Sequence, residues 1–138
     1  MAETSDCVFC SIALGVEPSR QVMDNPLAIA FLDINPAADG HTLVAPRDHI
    51  TDIFALNGEV AAAVWALTLD AARRLDSVLR PDGMTMFQAN REAGWQDIFH
   101  FHIHLVPRWN GDPLVRPWRH ASGDPRRLDA LAGQLRDG

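Results

Sequence analysis

Three histidines alternate through the seven residues His100-Phe101-His102-Ile103-His104-Leu105-Val106. Along an extended strand alternate side chains share a face, so the imidazoles would line up at steps of about 6.8 Å. Phe101, Ile103 and Leu105 would then face a core. The polar side of an ordinary amphipathic strand carries Thr, Ser, Lys or Glu. Imidazole alone combines a nucleophilic nitrogen, titration near neutral pH and affinity for metal ions. Other residue types offer few rivals. All twelve basic residues are arginine, which removes Schiff-base chemistry and the lysine of phosphate-binding loops. Tyrosine is absent, so no phenol serves as acid or nucleophile.

A second constellation is Cys7-Val8-Phe9-Cys10. A redox dithiol needs this spacing between a strand and a helix, and no strand precedes it. Two buried thiols on one helix face are a structural reading of the same residues. A metal site needs two further ligands, and the six histidines supply candidates.

The elements that must position these groups follow from pattern. Asp6 is placed to cap a short helix over residues 7–14 that stops at Gly15. Residues 27–33 and 41–45 read as strands, with Asn35-Pro36 and Asp39-Gly40 as turn signals between them. Asn57 offers an N-cap to a long helix in which Val60, Val64, Leu67, Ala71, Leu75 and Val78 recur at steps of three and four. Pro81 and Gly83 end it after roughly 35 Å. Residues 84–89 read as a strand, 90–96 as a loop, and 98–106 as an alternating strand that ends at Pro107. A proline-rich stretch follows, and Asp124-Pro125 opens a final helix whose Leu128, Leu131 and Leu135 share a face. This order suggests α+β architecture with an antiparallel sheet.

At 138 residues and 47% hydrophobic, the chain has the size and apolar mass of one domain. Its formal charge of −6 argues against a protein that neutralises a nucleic-acid backbone. One small nucleotide in a prepared pocket remains compatible with it. No apolar run approaches the ~18–20 residues of a membrane span. Residues 1–6 lack the basic and apolar regions of a signal peptide, so a cytoplasmic setting is expected.

The pattern His-φ-His-φ-His-φ-φ, with φ apolar, resembles the signature of the histidine triad (HIT) family of nucleotide hydrolases and transferases. Phe31-Leu32-Asp33-Ile34-Asn35-Pro36, Gly40-His41-Thr42-Leu43-Val44 and Pro46-Arg47-Asp48-His49-Ile50 resemble the family's first half. Ala93-Gly94-Trp95-Gln96-Asp97-Ile98-Phe99 leads into the triad, and Pro107-Arg108 follows it. The resemblance covers roughly residues 7–110, which leaves 111–138 as the C-terminal loop and helix of a single domain 1–138. It implies a mostly antiparallel sheet of about five strands with one long helix and a short N-terminal helix. It also implies a homodimer.

What the resemblance implies for chemistry agrees with the residues. His102 is the expected nucleophile, attacking the α-phosphorus of a purine nucleotide to give a nucleotidyl-histidine that water cleaves. His104 is expected to donate to the phosphoryl oxygens, Asn90 and Gln96 to orient the phosphate, and His41 to support the network. Asp33 is expected to grip the ribose hydroxyls. Phe9, Ile12, Phe31 and Ile34 would wall the base. No magnesium is required in this scheme, because hydrogen-bond donors replace the metal clamp. Zinc-bearing relatives complete the cysteine pair with two histidines, here His49 and His100, so Cys7, Cys10, His49 and His100 would hold a structural zinc.

Two departures stand out. Many members carry Ser or Thr directly after the Gln, and here Asp97 follows Gln96. Trp95 separates Gly94 from Gln96. The resemblance implies a hydrolase or nucleotidyl transferase for phosphoramidates, dinucleoside polyphosphates or related α-substituted nucleotides. A binding or sensing protein of the same fold with little turnover is the alternative, although a binder has no need of a nucleophile. Repair of adenylylated DNA ends is disfavoured by the acidic charge, and neither nucleic acid nor membrane is expected as a partner.

Overall fold

The computed structural model describes residues 6–138; residues 1–5 of the polar segment read above lie outside the described residues. Five strands form one antiparallel sheet in the order β1-β2-β3-β5-β4. They are β1 (Gln21–Asp24), β2 (Ala28–Leu32), β3 (Thr42–Pro46), β4 (Gly83–Phe87) and β5 (Ile103–Arg108). Three helices accompany them: α1 (Val8–Ala13), α2 (Gly58–Leu79) and α3 (Pro125–Asp137). The fold is α+β, as the element order implied.

The Asn57 side chain caps α2 by accepting from the Val60 N–H at 2.9 Å. The helix ends where Arg80 turns left-handed, at φ 51°, ahead of Pro81. Its buried stripe, Val60, Val64, Leu67, Ala71 and Leu75, packs on Ala28, Ala30, Val44, Phe101, Ile103 and Leu105. Each buried Val or Leu contributes about 1.5–3 kcal/mol relative to exposure. The other face of the sheet belongs to α1, whose Phe9 packs with Ile29, Phe31, Leu43 and Ala45. Successive residues of β2 and β3 therefore serve opposite layers. With Phe101, Ile103 and Leu105 given to the α2 layer, His102 and His104 fall on the α1 side.

Several expectations are corrected. The α1 cap is Cys7 rather than Asp6, its sulfur accepting from the Cys10 N–H at 3.4 Å. The strand expected over 98–106 begins only at Ile103 and runs through Pro107. Before it, the Phe101 N–H donates to the Ile50 carbonyl at 2.6 Å, so this stretch is tied to residues 46–50 instead of a ladder. Pro107 is tolerated because the pairing of β5 with β3 stops at Leu105. β1 was not expected at all. The apolar face of α3 exists, yet none of its residues is buried.

Candidate active site

A cavity of about 310 Å³ opens between α1, β2, β3 and the segment entering β5. Phe9, Ile12 and Phe31 line it as apolar wall, with Ile34 on its rim at 80% exposed. Asp33, His102 and His104 line it as well. All seven were singled out from the sequence. Arg20, Glu17 and Asp97 complete its charged lining. No periodicity or motif marked Arg20 or Glu17, which lie on the irregular chain between α1 and β1.

Hydrogen bonds fix the protons on the histidine rings. His102 Nδ1 lies 2.7 Å from the carbonyl oxygen of His100. A carbonyl only accepts, so Nδ1 carries the hydrogen and a neutral ring keeps its lone pair on Nε2. Phe9 meets this imidazole edge to face at 5.0 Å and limits its rotation.

His41 and His104 form a chain of the opposite polarity. The Ala37 N–H donates to His41 Nδ1 at 3.0 Å, which leaves the hydrogen of a neutral ring on Nε2. That Nε2–H donates to His104 Nδ1 at 2.9 Å, so His104 presents its own Nε2–H as a donor. Burial, aided by His102 and His41, pushes the His104 pKa down to about 4 against the pull of Asp33 and Asp97. Burial lowers His41 too, opposed by Asp33. Phe87 stacks on the His104 ring at 4.1 Å, and Asp33 Oδ2 stands 3.5 Å from His41 Nε2. The turn that delivers His41 requires glycine: Gly40 has φ +84°, and a Cβ there would stand 2.5 Å from Leu79 Cδ1.

Asn90 and Gln96, expected at the phosphate, are not brought to the cavity. Gln96 is buried, with Oε1 accepting from the Arg91 N–H at 2.7 Å. Its Nε2 donates to the carbonyls of Thr51 at 2.6 Å and Ile98 at 3.2 Å. Asn90 Oδ1 accepts from the Ile53 N–H at 2.8 Å, and its amide also pairs with Gln88. Both side chains are spent on the loop. Trp95 bends that loop with φ +73°, a left-handed conformation unusual for so large a residue.

On the far side of His100 the two cysteines meet two imidazoles. His100 Nδ1 lies 3.2 Å from Cys7 Sγ and 3.4 Å from Cys10 Sγ, and His49 Nδ1 lies 3.3 Å from Cys10 Sγ. His100 Nε2–H donates to the Pro46 carbonyl at 2.8 Å, which turns the Nδ1 lone pair toward the sulfurs. Donors about 2.3 Å (S) and 2.0–2.1 Å (N) from a tetrahedral ion would be roughly 3.5 Å apart. The four residues fit such an ion. Burial and the neighbouring Cys7 push the Cys10 thiol up to about 12, a cost that a bound dication would reverse.

Asp33, His41 and His104 also bring ligand-type atoms within 4.8 Å of one another. Here the Ala37 N–H opposes metal binding. A metal on His41 Nε2 would force the proton onto Nδ1, against that amide.

A family model described as HIT domain matches residues 15–111. The protein named Protein hit of Bacillus subtilis is 33% identical over 133 residues, spanning 94% of this chain and 92% of that one. Adenosine 5'-monophosphoramidase hnt1 of Schizosaccharomyces pombe is 28% identical, over 94% and 95% of the two chains. Among solved structures, a Zn-bound histidine triad family protein from Mycobacterium smegmatis superposes with a TM-score of 0.76 at 34% identity, covering 98% of this chain and 99% of that one.

Proposed function

The chain belongs to the HIT domain family, which includes an adenosine monophosphoramidase, and from that membership we propose that it hydrolyses purine nucleotides at the α-phosphorus. The substrates are phosphoramidates or dinucleoside polyphosphates, and the reaction passes through a nucleotidyl group on His102. One observation carries this reading: His102 Nδ1 is engaged by the His100 carbonyl at 2.7 Å, so the other nitrogen is the free nucleophile in the cavity.

With a phosphoramidate, the Nε2 lone pair forms a bond to phosphorus as the P–N bond breaks. The departing nitrogen keeps the electron pair and takes a proton from solvent at the open side of the cavity. Water then attacks phosphorus and displaces Nε2, and the proton it sheds replaces the one consumed. His104 Nε2–H donates to a non-bridging oxygen throughout, a role that needs a neutral ring in the tautomer His41 imposes. Asp33 receives the ribose hydroxyls, and Phe9, Ile12, Phe31 and Ile34 flank the base. No magnesium enters these steps.

Cys7, Cys10, His49 and His100 would hold a structural zinc, whose role is to fasten α1 to the segment carrying His102. The homodimer that the family resemblance implies would use the open edge of β4, where Met86 and Phe87 stand exposed. A cytoplasmic setting suits free thiols that bind metal.

Rapid quench of the protein with labelled adenosine phosphoramidate tests the reading. An acid-labile, base-stable adenylyl group mapped to His102 is expected, and turnover with label on any other residue refutes it.

A further inference from the structure

We propose that Asp97 selects substrates by the charge of their leaving group, favouring cationic amines and disfavouring polyphosphates. This inference rests on the nucleotide-hydrolase reading and narrows its substrate class.

Asp97 lines the same cavity as His102 and His104. Its Oδ1 accepts from the Ile98 N–H at 2.8 Å, which fixes the carboxylate on the segment leading into the triad. Among the described residues its other oxygen has no hydrogen-bond partner. The carboxylate is close enough to His104 for its charge to favour protonation of that ring. A phosphoryl group held by His104 therefore lies within the same field, and so does whatever leaves from it.

Two other carboxylates line the cavity, and neither offsets this field. Asp33 Oδ1 accepts from the Asn35 N–H at 2.9 Å, and its second oxygen faces His41. Under the proposed function Asp33 is committed to the ribose. Glu17, on the chain between α1 and β1, lines the cavity too and adds to its negative charge. Arg20 is the one guanidinium in the lining. A polyphosphate leaving group brings several negative charges to a cavity with a single cation and a fixed carboxylate beside the reacting centre. An amine carrying a second, protonated nitrogen brings the complementary charge. At a separation of about 7 Å in a partly solvated site, one unit of charge is worth about tenfold in rate. Because Asp97 is exposed, salt should reduce the effect.

The test compares three phosphoramidates of adenosine monophosphate that differ only at the tail of the amine: 4-aminobutyl, butyl and 3-carboxypropyl. In the native protein kcat/KM should fall in that order, by about tenfold at each step, and the span should shrink between 50 and 500 mM salt. In Asp97→Asn the three values should lie within about threefold of one another. Ratios within one protein are unaffected by any general loss the substitution causes. A native protein that hydrolyses the butyl compound without charge preference, or a preference unchanged in Asp97→Asn, overturns this inference alone. Failure to hydrolyse any of the three overturns this inference, and if adenosine phosphoramidate and a dinucleoside polyphosphate are left intact as well, the hydrolase reading falls with it.

Discussion

Replacing His102 with asparagine separates chemistry from binding. The native ring is 5% exposed, so the substitution acts inside the molecule. The asparagine amide can still donate to the His100 carbonyl, which keeps a buried acceptor paired. The vacated ring edge against Phe9 is a modest cavity, costing about 1–2 kcal/mol of stability. Asp33, Phe31 and the His41–His104 chain remain, so adenosine monophosphate should bind within a few-fold of the native affinity. What disappears is the Nε2 lone pair that the proposed mechanism directs at phosphorus. Turnover without the covalent step relies on orientation alone, and we expect at least a thousandfold loss in kcat, about 4 kcal/mol of barrier. Single-turnover kinetics with labelled phosphoramidate measures the loss, and equilibrium dialysis measures binding. A variant that turns over within tenfold of the native protein would refute the nucleophile assignment, whatever the family.

Cys10→Ser should abolish stoichiometric metal and lower Tm by on the order of 10 °C, read by elemental analysis and calorimetry; one tightly held ion per chain in the variant would place the ligands elsewhere. Gln96→Ala should cost about 2–4 kcal/mol of stability by orphaning its backbone partners, while kcat of the folded fraction falls less than tenfold. A hundredfold loss at unchanged Tm would return Gln96 to the chemistry. His104 faces His102, His41, Asp33 and Asp97, and burial holds its pKa near 4 in the folded chain against about 6.5 when unfolded. The unfolded chain therefore gains a proton first as pH falls, and stability present above pH 6.5 is lost progressively toward pH 4, by up to about 3 kcal/mol. Urea denaturation at pH 7 and pH 5 should show a smaller drop in His104→Gln than in the native protein; equal drops would assign the acid sensitivity to other groups.

The parts legible in the sequence were those in which one residue type repeats under one constraint. The stripe from Val60 to Leu75 has a single buried face, so its period survives in the pattern. The three histidines were conspicuous because the chemistry is rare on a strand. Where both faces are buried, alternation loses its meaning. Residues 100–103 are all buried, and the true start of β5 at Ile103 was hidden in an unbroken alternation. β1 is four residues long with a bulge and partial exposure, too short to carry a period. Family resemblance placed Gln96 and Asn90 at the phosphate, and in sequence a polar amide looks the same whether it faces a phosphate or a loop carbonyl. Only the path of the chain around Trp95 separates the two.

His100 offers its ring to the cysteines and its carbonyl to His102. The two proposed binding events would thus share one residue, and thermodynamics would make their influence mutual. If an ion at the cysteines settles the His100 backbone and so improves nucleotide affinity by some factor, nucleotide must improve retention of the ion by the same factor. Under limiting metal the protein would then be loaded preferentially while nucleotide is bound, and a chelator at a given concentration would strip it most completely when the cavity is empty.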